Sequence, residues 1–186
     1  TLTRVTRRLR KRWIAAAHAK TILDLQGELM RYSVDAASGI AYGIDINTLE
    51  NAQSELHDNL RHMFPMVFHR MNLPFPYWRY VRLPSDIVHD RRVATLHRII
   101  GHIIEEGRGR LRLHPERRAH PTDLLEAMLA ARDADGSALS EADIKGNVFT
   151  MLTASGGTTA NTLPWTLYLL HEHPEASVRL GDDARA

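Results

Sequence analysis

Hydrophobic and polar positions repeat at helical spacing over most of this 186-residue chain. Prolines, glycines and capping residues separate the repeating stretches. The pattern predicts a mainly α fold with seven helices. Their expected spans are residues 2–17, 25–42, 48–71, 85–112, 122–132 and 141–171, and the seventh begins after Pro174. Residues 21–23, Thr-Ile-Leu, form the one short strand that the sequence favours.

Local signals mark the ends of the later helices. Ser140 is suited to cap the long helix that starts at residue 141, with Asp143 at its third position. Thr122 follows a proline and marks the start of the preceding helix. Pro164 lies inside the long helix, where it removes the backbone bond to the Ala160 carbonyl, so we expect a bend there.

The long helix has an unusual face of small and hydroxylated side chains. Positions at i, i+3, i+4, i+7, i+8 and i+11 share this face, and they are Thr150, Thr153, Ala154, Gly157, Thr158 and Asn161. Adjacent glycines inside a helix cost about 1 kcal/mol each relative to alanine, so some packing or functional demand must offset them. A close crossing with another helix and a groove that holds a ligand both explain such a face.

Residues 150–175 resemble the oxygen-activating I helix of the cytochromes P-450, which are haem-thiolate monooxygenases. In that family the helix reads Ala-Gly-x-acid-Thr-Thr, and a Leu/Trp-rich turn then leads to His-Pro-Glu. Ala154, Thr158 and Thr159 are in register with this pattern, and the expected ending stands at residues 173–175.

Earlier segments agree with the same family in their order and distances. Residues 24–47 resemble its E helix and the turn that follows, and residues 121–125 and 140–144 resemble the starts of its H and I helices. The resemblance implies the helical portion of the cytochrome P-450 fold with a long, kinked central I helix.

The resemblance also implies an activity and a set of site residues. The intact parent would insert one oxygen atom from dioxygen into a small organic substrate, using haem and electrons from a redox partner. Thr158 and Gly157 would occupy the catalytic positions, Ala154 and Thr158 would face the haem, and Thr150 and Thr153 would face the substrate or the haem edge.

Two positions depart from the family pattern. Ser155 replaces the usual Gly, and Gly157 replaces the usual Asp or Glu before the first Thr. In the family this acid and the alcohol manage proton delivery during oxygen activation, and a glycine cannot relay protons. Water or another side chain must then supply the protons. Alternatively, the chain is a degenerate member that acts as a structural or partner-binding helical module.

The sequence contains no cysteine, whereas a cysteine thiolate binds the iron in this family. We therefore expect residues 1–186 to be one helical fragment, roughly from the D to the J helix, without the N-terminal part and the C-terminal haem-cysteine part. Such a fragment alone would be inactive and would hold no thiolate-ligated haem. The Glu-x-x-Arg matches at residues 28–31 and 105–108 lie in the wrong helices for the family's pair, and we interpret them as ordinary surface charges.

Residues 73–80 hold four of the chain's twelve aromatic residues among prolines, which predict a loop. By resemblance this is the F-G loop, a lid over substrate or a contact to partners, so Phe75 and Trp78 become candidate substrate-binding residues. The alternative is a loop that only packs its own aromatic side chains onto the core.

Composition excludes several other classes of protein. The net charge is +2, and the basic run over residues 4–12 has almost no aromatic interleaving, so we expect a solvated helix face and no nucleic-acid binding. The sequence has no run of about 18 apolar residues, so it predicts no membrane span, and we expect a cytoplasmic protein. His171 and His173 have no cysteine or carboxylate at metal spacing, so no metal site is predicted. The apolar residues 163–170 favour self-association of the fragment.

Overall fold

The computed structural model describes residues 1–51 and 54–185, and these residues form seven α-helices, as the sequence predicts. The helices are α1 (Leu2–Ala19), α2 (Leu25–Ala41), α3 (Glu55–Met71), α4 (Pro84–Leu113), α5 (Leu124–Ala130), α6 (Glu141–Glu172) and α7 (Pro174–Asp183). Two short 3-10 turns cover Tyr77–Arg79 and Pro115–Arg118.

The strand predicted at residues 21–23 is wrong. Lys20 ends α1 in the left-handed conformation at φ 51°, and Asp24 already caps α2 by accepting a hydrogen bond from the Gly27 amide. Ile22 between them is 97% exposed. A strand needs a partner to satisfy its backbone groups, and within the described ranges no segment pairs with these residues.

Helix α3 starts at residue 55, seven residues later than predicted. The cause lies in α2, where the buried Asp35 carboxylate accepts hydrogen bonds from the backbone amides of Thr48 and Leu49 at 2.7 and 3.1 Å. These bonds hold the segment as a turn against α2. Of the predicted helical stretch before residue 55, residues 52 and 53 lie outside the described part of the chain.

The core is organised around the contact between α2 and α6. Helix α6 buries one stripe at four-residue spacing, which consists of Ile144, Val148, Leu152, Gly156 and Ala160. Hydrogen bonds to the α6 backbone support this contact: the hydroxyl of Tyr42, just after α2, donates to the Val148 carbonyl at 3.1 Å, and the Ser33 hydroxyl donates to the Ser155 carbonyl at 2.6 Å. This stripe fixes which side of α6 is left open.

The capping prediction for α6 is confirmed, and the one for α5 is off by one residue. The Ser140 hydroxyl accepts from the Asp143 amide at 3.1 Å. Asp123, and not Thr122, caps α5 by accepting from the Glu126 amide at 2.8 Å. Thr122 instead donates its amide and its hydroxyl to the Glu126 carboxylate. Helix α6 is continuous through Pro164, and the bend expected there stays a prediction.

Glu28 is not the ordinary surface charge that its sequence context suggests. It is only 7% exposed and forms two hydrogen bonds with Arg12 of α1, at 2.8 and 2.5 Å. Arg8 similarly forms two bonds with Asp45, at 2.6 and 2.8 Å. Part of the N-terminal basic run is therefore used to attach α1 to the rest of the fold. The pair of Glu105 with Arg108 does lie at the surface.

Candidate functional site

The small-residue face of α6 is mostly open. Thr150, Ala154, Thr158 and Asn161 are exposed, whereas Thr153 and Gly157 are partly buried. The neighbouring Gly156 faces α2, where a Cβ would lie 3.4 Å from Met30 Cε and 3.5 Å from Val34 Cγ2, which is ordinary van der Waals contact. The two adjacent glycines thus lie on different sides of α6: Gly156 faces α2, and Gly157 is on the open face.

The hydroxyls of Thr153 and Thr158 donate to carbonyls of α6 itself. Thr158 Oγ1 donates to the Ala154 carbonyl at 3.2 Å, and Thr153 Oγ1 lies 2.9 Å from the carbonyls of both Phe149 and Thr150. Such bonds are typical of threonines inside helices. Each hydroxyl has one proton and two lone pairs, so Thr158 retains only its capacity to accept a hydrogen bond from the open side.

A cavity of about 500 Å³ lies between α2, α3 and α6. Gly157, Thr158 and Asn161 belong to its lining, which places three of the predicted face residues around one space. Met30 of α2 and Leu60 of α3 provide apolar walls. The sequence pattern therefore identifies the α6 wall of this cavity, but not the walls that α2 and α3 provide.

Phe64 of α3 occupies the space beside Gly157. A Cβ built on Gly157 would lie 3.2 Å from Phe64 Cε2 and 3.4 Å from Cζ, which is tighter than ordinary contact. The ring is 46% exposed and also lines the cavity. A carboxylate side chain at position 157 would therefore require the ring to move. In the sequence Phe64 is one apolar position among several in an amphipathic helix, so no local signal identifies it as a cavity residue.

Two amides meet at the edge of the cavity. Gln26 Nε2 donates to Asn161 Oδ1 at 2.5 Å, which joins the start of α2 to the face of α6. Arg61 and Asp24 also line the cavity, and their charged groups lie 3.9 Å apart. Both residues of this ion pair are well exposed, with 62% and 60% of their side chains accessible.

The remaining α6 candidates lie away from this cavity. Thr150 lines a separate shallow depression of about 470 Å³ with Leu124, Met128, Asn147 and Met151. Ala154 is exposed one turn before Thr158 and lines neither space. The structure therefore brings Gly157 and Thr158 together and leaves Thr150 about two turns away along the helix.

Phe75 and Trp78 also lie apart from the cavity lining. Trp78 packs beneath the Arg70 guanidinium at 5.3 Å, and Phe75 stacks on Tyr80 with 5.4 Å between ring centroids. Arg70 donates to the buried Asp86 at 2.7 Å, and this bond, with help from the Leu83 amide, lowers the pKa of the carboxyl. The loop is thus attached to α3 and α4, and a substrate-binding role for its aromatics stays a prediction.

The histidines give no sign of a metal site. Within residues 1–51 and 54–185, no group of three or more His, Cys, Asp or Glu residues is arranged to hold a metal ion. His57 is 3% exposed, and burial, with a smaller effect from the Arg31 charge, lowers its pKa to about 4. This imidazole is neutral at physiological pH and belongs to the core.

Among the described helices, none has the length and apolar character needed to span a bilayer.

Comparison with known proteins gives one consistent result. The family model described as Cytochrome P450 matches residues 1–184. Pentalenene oxygenase from Streptomyces avermitilis is 28% identical over 198 aligned residues, covering 95% of this chain and 42% of that protein. Cytochrome P450 4V2 from Rattus norvegicus is 29% identical over 160 residues, covering 77% of this chain and 30% of that protein.

The fold is also similar to a solved structure. The heme domain of cytochrome P450DA superposes with a TM-score of 0.73 at 23% identity, covering 96% of this chain and 37% of that one. The chain thus spans less than half the length of these relatives. Because the family model extends over nearly every residue, the chain belongs to the cytochrome P450 family.

Proposed function

We propose that this chain is the oxygen-activating helical part of a haem monooxygenase that hydroxylates a small organic substrate with dioxygen and electrons from a redox partner. The observation that carries the proposal is the open face of α6, where Ala154 and Thr158 are exposed and the Thr158 proton is already donated to the Ala154 carbonyl. Family membership and the relative named as an oxygenase support it.

The open face suits one side of a haem. A flat, apolar macrocycle needs a helix surface without long side chains, and Ala154 and Thr158 provide small side chains on adjacent turns. These two residues would lie against the ring, and the haem would supply the oxygen chemistry when bound. The 186 residues include no cysteine, so the thiolate ligand of the family is not among them.

The protein's own contribution on this face is to accept hydrogen bonds. Because Thr158 Oγ1 donates to the Ala154 carbonyl, its lone pairs can orient a water molecule or accept a hydrogen bond from a protonated group in front of the helix. Gly157 has no side chain to exchange protons. Proton transfer at this face therefore depends on water held by Thr158 and its polar neighbours.

The test compares Thr158→Ala with Thr159→Ala in the haem-loaded, full-length enzyme that carries this chain. We expect Thr158→Ala to divert electrons to hydrogen peroxide, with a several-fold lower yield of product per electron and nearly unchanged substrate binding. Thr159→Ala is the matched control on the same turn, and Thr158→Ser should restore the yield because it keeps the hydroxyl. Equal product yields in the two alanine variants would show that Thr158 only packs.

A second proposal is a structural or partner-binding helical module, which the glycine at position 157 and the Phe64 ring beside it favour. In that case Gly157→Asp would leave the product yield unchanged, whereas an oxygenase limited by the missing acid would gain yield. A cytoplasmic location and the lack of nucleic-acid binding also stay predictions.

A further inference from the structure

A groove between α3 and α4 has the size of a ligand site and lies on a different pair of helices from the open face of α6. Its volume is about 440 Å³, within the range of small-molecule sites, which is roughly 300–1,000 Å³. Among the described residues only α3 and α4 line it, and Pro65 is the one residue that it shares with the cavity beside Gly157. Its lining spans positions 62–69 and 85–92, two turns of each helix, so the groove is roughly 10 Å long.

One end of the groove carries a guanidinium that no carboxylate neutralises. Arg92 Nη1 donates to the Asp58 backbone carbonyl at 3.2 Å and lies 3.1 Å from His62 Nδ1. The nearest carboxylates along α4, Asp86 and Asp90, pair with other arginines at 2.7 and 3.3 Å. Within the described ranges Arg92 takes part in no ion pair, and no acidic residue lines the groove. Its Nε and Nη2 groups can therefore meet the two oxygens of a ligand carboxylate.

Imidazoles supply further hydrogen-bond donors along the groove. His62, His69 and His89 belong to the lining, and a histidine ring has at least one N–H donor in either protonation state. His89 is only 8% exposed and forms the deepest part of the groove. Its burial, with a smaller effect from the Arg70 charge, lowers the pKa of His89. At neutral pH this ring is therefore an uncharged hydrogen-bonding group, and the permanent positive charge of the lining is that of Arg92.

The walls between the polar ends are apolar. Pro65 and Met66 of α3 and Val88 of α4 occupy the central positions of the lining. An inorganic anion would leave these walls in contact with water, whereas an apolar body would cover them. One permanent positive charge matches one negative charge, and a second negative charge would lie unpaired against apolar side chains, which is costly. We propose that this groove binds an organic monocarboxylate, with its carboxylate on Arg92 and an apolar body about 10 Å long on the central walls.

The experiment measures binding by equilibrium dialysis to the full-length protein that carries this chain, with 4-phenylbutyrate as the probe and 4-phenylbutanamide as its neutral analogue. We expect the carboxylate to bind more tightly than the amide. Arg92→Gln should weaken 4-phenylbutyrate binding by about tenfold, the effect of a charge-assisted hydrogen bond, and should change 4-phenylbutanamide binding by less than about twofold. Arg91→Gln is the matched control, because Arg91 is the exposed neighbour that does not line the groove, and it should leave the binding of both probes unchanged.

Two more variants keep the test decisive if Arg92→Gln loses helix content by circular dichroism. Arg92→Lys keeps the positive charge and should retain most of the preference for the carboxylate over the amide. Val88→Trp places a large ring on a half-exposed wall residue and should weaken the binding of both probes several-fold by filling the groove. Equal binding of the two probes, equal losses in the Arg91 and Arg92 variants, or undiminished binding to Val88→Trp would each overturn the proposal. Dialysis requires no turnover, so its result is independent of the proposed oxygenase function.

Discussion

Replacing Gly157 by alanine tests whether Phe64 is the reason for a glycine at this position. Inside a helix the change should stabilise the protein by about 1 kcal/mol, because alanine has the higher helix propensity. The new Cβ, however, would lie 3.2 and 3.4 Å from two atoms of the Phe64 ring. Overpacking of this kind costs roughly 1–3 kcal/mol, and the half-exposed ring can move aside, so the lower end applies.

The two effects nearly cancel, and a matched glycine separates them. A Cβ on Gly146, in the same helix, would meet no atom within 4 Å. Gly146→Ala should therefore raise the free energy of unfolding by the full value of about 1 kcal/mol. Gly157→Ala should either change the free energy of unfolding by less than about 1 kcal/mol or lower it. In a Phe64→Leu background, which lacks the ring, Gly157→Ala should raise the free energy of unfolding by nearly as much as Gly146→Ala does.

The assay is urea denaturation followed by far-UV circular dichroism on the four proteins of the Gly157–Phe64 cycle and the corresponding Gly146 cycle. We expect a coupling free energy of about 1 kcal/mol in the first cycle and nearly zero in the second. Additivity in both cycles would mean that Phe64 does not restrict position 157.

Two further predictions concern stability and assembly. Glu126→Gln should destabilise the fold by about 2–4 kcal/mol, because the buried carboxylate accepts hydrogen bonds from Arg110, Arg117 and Thr122. Burial alone would raise its pKa, but these bonds lower it from 4.5 to about 2. Its contribution is therefore complete above pH 4.5 and is lost towards pH 2, so urea midpoints of wild type and variant should converge as the solution is acidified. The 186-residue chain alone should self-associate, because Trp165 and Tyr168 of α6 are 66% and 54% exposed; sedimentation equilibrium showing a stable monomer at high concentration would contradict this.

Features encoded within a few residues could be predicted from the sequence. The seven helices follow from apolar spacing, and the Ser140 cap follows from one hydroxyl and an amide three residues later. The register of the long helix also follows, because the small and hydroxylated positions share one face. The register therefore predicts that Gly157 and Thr158 share one face, and the structure places both in the lining of the same cavity.

Features that depend on distant partners could not be predicted. From its sequence context Glu28 is expected to be a surface charge, but in the structure Arg12, sixteen residues earlier, donates to its carboxylate. The late start of α3 depends on Asp35, which binds backbone amides more than a dozen residues further along. Phe64 and Gln26 reach the cavity from two other helices, and only tertiary packing reveals that they belong to it.

Three exposed threonines of α6 present hydrogen-bond acceptors, and not donors, to solvent. Thr158, Thr162 and Thr166 each donate a hydroxyl proton to the carbonyl four residues earlier, at 3.2, 2.9 and 2.9 Å. Their protons are committed to the helix, so towards solvent they offer only lone pairs. Whatever meets these threonines must bring its own proton, as water or a protonated group does. The Asn161 amide at the cavity edge, by contrast, still offers donors, so neighbouring surfaces of one helix select for opposite hydrogen-bonding partners.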